Sequence, residues 1–415
     1  ARALFANGTL DEISAHFHRE IDQLADILRG IFLIQECTAR SRDLVMSFGE
    51  RLSCAIVCHL IKQSEPEAAY VDARHLVKTD DHFGSARVLF DETFVNIRNH
   101  FNGHAPIRVV TGFIGSTHNG QTTTLGRGGS DYTASIFGAA LEAEAIEIWT
   151  DVDGVMTADP RRIPEAHVIP EMTYEEAMEM SHFGAKVIHP PTMQPALDAG
   201  IPILIKNTFA PQKPGTRIAA HAAKNGDVIT GLSTIDRVAL LRIQGSGMQG
   251  IAGTAKRLFD ALAQAEINVI MISQGSSEHS ICVIVASDVA AHAKAAVYEA
   301  FALEIQTRLV EHVIVEEDLA IMAVVGERMR HTTGIAGAVF QALGDYGVNI
   351  VAIAQGSSER NISMVIDRDR VEDALHAVHD RYFTTRRAPV HIFLVGTGVV
   401  GGALLRQLAL RDPQA

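Results

Sequence analysis

Cysteine is scarce: Cys37, Cys54, Cys58 and Cys282 are the four in 415 residues. Cys54 and Cys58 are four apart and would share a helix face, but no His or Cys partner stands at the spacing a metal site needs. No resident metal site is assigned, and the four read as buried, reduced thiols of a cytoplasmic protein. Basic charge is also short. Against 49 Asp and Glu there are 36 Lys and Arg, a net charge of −13, so no excess of cations is available to neutralise a nucleic acid. A small anionic substrate held by a few local cations stays open. No apolar run reaches the length of a membrane span and no signal peptide opens the chain. Neither nucleic acid nor membrane is expected as a partner.

What is present has the balance of a soluble globular protein, 47% hydrophobic and 20% charged. At about 150 residues per domain the length gives two to four domains. The first residue is Ala1 rather than Met, a helical pattern starts almost at once, and a helix start near the end goes nowhere. The chain therefore reads as a piece of a longer protein. Ile13, Phe17, Ile21, Leu24 and Leu28 have helical spacing and predict a helix over 11–34, with another over 41–62. Residues 69–71, 107–111, 145–150 and 201–207 read as buried strands, and 85–100 and 131–141 as helices. Such alternation implies a largely parallel sheet covered on both faces.

After about residue 235 the sequence repeats itself. Gly250-Ile251-Ala252-Gly253 recurs as Gly334-Ile335-Ala336-Gly337, 84 residues on. Gln274-Gly275-Ser276-Ser277-Glu278 recurs as Gln355-Gly356-Ser357-Ser358-Glu359, 81 residues on, so one copy reads as three residues shorter. Each copy reads as a βαββαβ unit, with strands predicted over 267–273 and 280–285 in the first and 348–354 and 361–366 in the second. The period exceeds that of solenoids, which makes this a duplicated domain. The last segment, from His391, reads as a strand, the run Gly396-x-Gly398-x-x-Gly401 and a helix, which is the dinucleotide fingerprint in the context it needs.

Three motifs carry the chemistry. Gly126-Arg127-Gly128-Gly129-Ser130-Asp131 lies between a strand-like run and a helix. Its glycines let backbone N–H groups approach an anion, and Arg127 offers a fork for a carboxylate or phosphate. A tight turn with a helix cap explains the same residues. The run from Thr150 to Arg161 holds Asp151, Asp153 and Asp159. These either cap turns or orient a nucleotide with its Mg2+, with Arg161 near the phosphates. Lys186, in an otherwise apolar stretch, either snorkels to the surface or serves a polar site.

Taken together, Phe48-Gly49-Glu50-Arg51 and residues 126–131, 149–161, 174–180 and 183–190 resemble, in order and spacing, the aspartate kinases of the amino-acid kinase superfamily. The resemblance covers nearly the whole chain. It implies an α/β fold with a mostly parallel central sheet and helices on both faces. It also implies transfer of the γ-phosphoryl group of ATP, with Mg2+, to the β-carboxylate of L-aspartate. By match to the family's motifs, Glu50 would hold the amino group of aspartate, Arg127 a carboxylate, and Ser130 would line the pocket. Asp131 would order the catalytic cations, Thr150, Asp151, Met156 and Arg161 would meet the nucleotide, and Lys186 would lie near the phosphates. Met156 departs from the pattern, since many relatives carry an aromatic there. The family's opening Lys-Phe-Gly-Gly-Thr-Ser segment, and a second loop whose Ser or Thr helps bind aspartate, are not in this sequence. Little or no kinase activity is expected of this chain by itself.

The repeated units resemble ACT domains, ferredoxin-like folds that bind amino acids, in which part of one copy's sheet is supplied by the other. The glycine runs would let a ligand's charged ends meet backbone at a helix start, and Gln274 and Gln355 each offer a donor and an acceptor. A hairpin turn accounts for the Gln-Gly-Ser-Ser-Glu runs as well. Resemblance to bifunctional aspartokinase–homoserine dehydrogenases implies threonine as the effector, with Asn268 and Asn349 nearby, and a homo-oligomer formed through the ACT sheets. It assigns the final glycine fingerprint to the start of the NAD(P)H-binding dehydrogenase half, which would need the complete parent protein. The expected division is 1–233 kinase, 234–314 first ACT copy, 315–387 second copy and 388–415 dehydrogenase start. The competing reading is a catalytically disabled piece that senses amino acids and oligomerises.

Overall fold

The structure, a computed structural model, describes residues 9–102, 107–185, 188–222, 227–245, 253–275, 280–356 and 358–383. Two long helices lead, α1 (Thr9–Ile34) and α2 (Ala39–Ile61), and they pack on one another. Thr38 caps α2, its hydroxyl accepting the Ser41 N–H at 3.1 Å. By length and composition α2 could cross a membrane, which corrects the expectation that no run reaches that length. Its polar residues are tied into the globular interior. The buried Asp43 carboxylate accepts the N–H of Gly84 at 2.8 Å and of Thr124 at 2.9 Å, and the Thr124 hydroxyl at 3.0 Å. Arg51 stacks 4.5 Å over Phe48 and pairs with Glu20 of α1. Buried charge is tolerable with partners of this kind and ruinous in lipid without them.

The first half continues with β1 (Ala69–Val71), α3 (Phe90–His100), β2 (Arg108–Val110), β3 (Ile114–Ser116), β4 (Thr122–Thr124), α4 (Gly129–Ala140), β5 (Ile146–Thr150), β6 (Glu171–Thr173), α5 (Tyr174–His182), α6 (Pro190–Ala199), β7 (Ile203–Asn207) and β8 (Thr216–Ala219). Strands β1 and β2, β5 and β7, and β6 and β8 pair in parallel, while β3–β4 and β7–β8 are antiparallel. This is the expected largely parallel α/β arrangement. The helix predicted over 85–100 starts only at Phe90, because residues before it spend their backbone groups elsewhere. The Ala86 N–H donates to Thr124 O at 2.9 Å and the Leu89 N–H to Lys78 O at 2.8 Å.

The second half holds β9 (Gly231–Gln244), α7 (Thr254–Gln264), β10 (Met271–Gln274), β11 (Ser280–Ala286), α8 (Ala290–Ala300), α9 (Ala302–Gln306), β12 (His312–Val325), α10 (Ile335–Asp345), β13 (Ala352–Gln355), β14 (Asn361–Asp367) and α11 (Val371–Tyr382). Its strands form one antiparallel sheet in the order β10-β11-β9-β12-β14-β13. β9 and β12 each serve both copies. Residues 312–316 pair with 240–244, and 319–325 pair with 231–238, with an irregularity between them. At that break Arg237 and Asp318 both take φ of 56°. Each copy thus borrows an outer strand from the segment leading into the other, and both long strands cross the expected boundaries at 233/234 and 314/315.

The two copies keep one register of 81 residues. Left-handed glycines, Gly253 and Gly334, precede α7 and α10, and α8 and α11 begin at Ala290 and Val371. Gly334 therefore corresponds to Gly253, not to Gly250, and no three residues were lost. The strands predicted from Ile267 and Val348 begin only at Met271 and Ala352. Ile267 and Val348 instead turn their N–H groups back to Leu262 O and Leu343 O, both at 2.9 Å, and close the preceding helices.

Helices α7 and α8 cover the first copy through Leu258, Leu262 and Val297, and α10 and α11 cover the second through Val339, Leu343 and Val378. The opposite face of the sheet packs on the first half, where Met180 and Met193 share a cluster with Leu240, Ile321 and Val365. Among the thiols Cys58 is buried and Cys54 and Cys282 are half-buried, but Cys37 is exposed, which corrects the expectation of buried thiols there. It follows the end of α1, where Phe32, Leu33 and Ile34 are exposed too.

Candidate active site

Helix α2 delivers Glu50 to the end of β2. Its Oε1 accepts the Gly112 N–H at 2.6 Å and the Cys54 thiol at 3.5 Å. Burial, reinforced by Glu50, pushes that thiol up to about 12, so it stays a neutral donor. Gly112 is a close-approach glycine: a Cβ there would lie 3.1 Å from Ser130 Oγ. Glu50, Gly112 and Ser130 are therefore stacked in one short column.

Ser130 and Asp131 stand in the first turn of α4, which starts after Gly128 at φ 71°. Only a residue without a side chain fits at Gly128, because a Cβ would come 2.9 Å from His189 Cβ. The N-termini of α4 and α6 thus meet. Exposed Arg127 sits close enough to His189 that, after burial, its charge helps hold the imidazole below its usual range. Asp131 is half-buried, and burial holds its carboxyl above the usual range. A cation at this helix start would reverse that shift.

A second group forms beyond β5. Thr150 ends that strand opposite Asn207 of β7, and the Thr208 N–H donates to Thr150 O at 2.8 Å. Asp153 clamps the connection from β7 to β8, accepting Asn207 Nδ2 at 2.7 Å and Lys213 Nζ at 2.6 Å. Thr150, Asp151, Met156 and Arg161 line one cavity of about 760 Å3. Arg161 is held by Asp159, with Nη2 2.6 Å from Oδ2, so a phosphate would have to take the place of Asp159. Gly184 and Ala185 lie on the same cavity wall. Lys186 itself is outside the described residues. The segment from Gly184 to His189 touches the cavity at one end and the Arg127 loop at the other, which brings the two groups to opposite ends of one short stretch.

The predicted effector residues lie in the other half. Gln274 and Gln355 are exposed at the ends of β10 and β13, and Asn268 and Asn349 are exposed ahead of those strands. The sheet curls until its two edges meet, Ser273 Oγ donating to Ile353 O at 3.1 Å. The glutamine-bearing strands thus face each other across a seam between the copies. Gly250, Ser276, Ser277, Glu278 and Ser357 lie outside the described residues, as do Gly396, Gly398 and Gly401.

Sequence reasoning missed four residues of these sites. Gly112 gave no motif signal. Ser233 and Thr234, on β9, line the same cavity as Asp151, although they belong to the second half of the chain. His379 of α11 is buried and contacts Thr157 in the cavity loop, Nε2 to Oγ1 at 3.1 Å. A comparison of the repeated copies could have flagged it, since the matching residue on α8 is Tyr298.

Residues 5–207 match the amino acid kinase family, and 241–301 and 322–382 match the ACT domain, again 81 apart. The chain is 37% identical over 414 residues to the chloroplastic bifunctional aspartokinase/homoserine dehydrogenase 2 of Zea mays, covering 98% of this chain and 45% of that protein. It is 31% identical to the aspartokinase of Schizosaccharomyces pombe, covering 90% of this chain and 75% of that one. Among solved structures, E. coli aspartokinase III in complex with aspartate and ADP superposes with a TM-score of 0.73 at 28% identity, over 89% of this chain and 81% of that chain. The chain spans about half the length of the bifunctional relatives it matches.

Proposed function

The chain belongs to the aspartokinase family, and on that premise we propose that the protein phosphorylates L-aspartate from ATP and Mg2+. A carboxylate oxygen of the aspartate side chain forms the new bond to the γ-phosphorus, the bond to the β-phosphate oxygen breaks, and ADP and 4-phospho-L-aspartate leave. Such transfer needs positioning and charge neutralisation more than covalent help from the protein. Glu50 takes the amino group, Arg127 a carboxylate, and Ser130 closes the pocket. Asp131 orders the cations, Thr150, Asp151, Met156 and Arg161 hold the nucleotide, and Lys186 neutralises the phosphates. The observation that carries this reading is the shared cavity: four nucleotide candidates chosen from the sequence line it together. Met156 offers a thioether where an aromatic was expected, so the base meets a flexible apolar surface rather than a stacking plane.

The ACT copies regulate that activity through a bound amino acid. We infer threonine, held by Gln274, Gln355, Asn268 and Asn349 near the seam, acting because it binds the inhibited arrangement more tightly than the active one. The same copies mediate a homo-oligomer. We keep the division into 1–233, 234–314, 315–387 and 388–415, a cytoplasmic location, and a parent protein that continues as an NAD(P)H-dependent homoserine dehydrogenase. Because the Lys-Phe-Gly-Gly-Thr-Ser segment is not among these residues, this chain alone is proposed to turn over slowly or not at all. That leaves sensing and assembly as the reading for the isolated chain.

Calorimetric titration tests this directly. The chain should bind MgADP, and Arg127→Ala should weaken aspartate binding roughly tenfold or more while leaving MgADP unchanged, as expected for loss of a charge-assisted contact. Absence of MgADP binding would overturn the nucleotide assignment. A coupled ADP-release assay at the rate of a full-length relative would overturn the proposed impairment, and lysine binding in place of threonine would overturn the effector.

A further inference from the structure

Part of the cavity wall comes from β9 and α11, elements of the second half of the chain. It is built by Leu232, Ser233, Thr234 and Asp236 of β9 and by Leu375 of α11. Ser233 is 4% exposed, yet its Oγ has no hydrogen-bond partner among the described residues. A buried hydroxyl without a partner costs free energy unless something in the cavity meets it.

The same elements grip the loop that forms the other wall. Thr157 O accepts the Leu232 N–H at 2.7 Å. Thr157 Oγ1 accepts the His167 N–H at 3.2 Å, which leaves the hydroxyl proton for His379 Nε2 at 3.1 Å. Arg162 pairs with Asp236. Leu375 and His379 are one turn apart on α11 and so share a face: the first reaches the cavity and the second the loop. One buried carboxylate ties the junction from the kinase side. Glu176 Oε2 accepts the Thr173 N–H at 2.8 Å in a capping box, and its Oε1 accepts the Glu327 N–H at 2.8 Å and the Thr230 hydroxyl.

We propose that the regulatory half is a working part of the nucleotide site, with Ser233 a direct contact to the nucleoside end of the bound nucleotide and His379 a positioning residue that holds the loop through Thr157. This rests on the reading of the cavity as the nucleotide site. It gives the regulatory half a direct route to nucleotide affinity. A shift of α11 or β9 would move Ser233 and Thr157 together, with no need for a relay through the kinase core.

The test is MgADP affinity of the chain by calorimetry, with circular dichroism to confirm folding. Ser233→Ala and Thr157→Val should each weaken binding about three- to tenfold, the scale of one hydrogen bond. His379→Leu should do the same, and His379→Gln, whose amide can replace Nε2, should restore most of it. Tyr298→Leu, at the matching place on α8, should leave affinity unchanged. If His379→Leu fails to fold, Ser233→Ala still decides, because its hydroxyl has no partner to lose among the described residues. Wild-type binding that Ser233→Ala and Thr157→Val leave intact overturns this inference alone. No binding by the wild type overturns the nucleotide reading and this inference with it.

Discussion

Helices α8 and α11 are the same element in two copies, and they differ on one face. Toward their own sheet both bury the same positions, Ala293 and Val297 in the first copy and Ala374 and Val378 in the second. On the outer face the first copy has Lys294, Tyr298 and Ala302, all exposed, with the Lys294 ammonium 6.0 Å from the Tyr298 ring. The second copy has Leu375, His379 and Phe383 at those places, exposed by only 1%, 1% and 7%. Duplication preserved the face that makes the ACT core and released the face that does not. In one copy that free face became solvent-covered, and in the other it became the contact with the loop around Thr157. Outer-face residues therefore report what each copy is for, while inner-face residues report only that the fold is shared.

The largest test of this contrast is a charge placed on each outer face. Leu375→Asp should cost roughly 3–5 kcal/mol in urea unfolding, the scale of an uncompensated buried charge. Lys294→Asp should change stability by no more than about 0.5 kcal/mol. Equal costs would break the comparison. On the inner faces the opposite holds: Val297→Ala and Val378→Ala should each cost roughly 2 kcal/mol, because both remove buried methyl groups from matching cores. A twofold mismatch there would mean the cores are not equivalent.

A pH series sharpens the contrast further. Burial, then the neighbouring His167, holds His379 below the usual histidine range. Its folded state therefore binds protons less readily than the unfolded one. The resulting stability is present above about pH 6.5, the ordinary histidine value, and is lost as pH falls toward the folded-state value. His189 shifts the same way, through burial and Arg127. The melting temperature should drop from pH 7 to pH 5.5, and His379→Gln should remove part of that drop, leaving the His189 share. Parallel curves for wild type and variant would contradict the assignment. The smallest expected effect lies at the ends of α7 and α10, where Glu266 and Gly347 hold the same left-handed turn at φ 55° and 68°. Glu266→Gly should stabilise the first copy by up to about 1 kcal/mol, since only glycine takes this conformation without strain. A destabilised variant would show that the Glu266 side chain earns its place by other contacts.

Much of this was legible in the sequence. The helices of α1 and α2, the strands around Thr150 and Asn207, the glycine loop at Arg127 and the duplication all follow from local periodicity and turn chemistry. What was misread has a physical pattern. The tetrapeptide match at Gly250 outweighed the helix caps that fix the true register at Gly253. Residues 85–89 looked helical because their partners, Thr124 and Lys78, are remote in sequence. Ile267 and Val348 looked like strand starts but serve to close helices. The exchange of outer strands between β9 and β12 was legible only as a family resemblance. The joint cavity wall was not legible at all, since Leu232 and His379 reach Thr157 through tertiary packing across more than 70 and 200 residues of chain respectively.

Everything turns on where the nucleotide sits. A crystal structure of the chain with MgADP and aspartate decides it. The prediction is ADP in the cavity between the loop that follows Thr150 and Ser233 of β9, with aspartate among Glu50, Arg127 and Ser130. Nucleotide bound elsewhere, or that cavity empty at saturating MgADP, would contradict it.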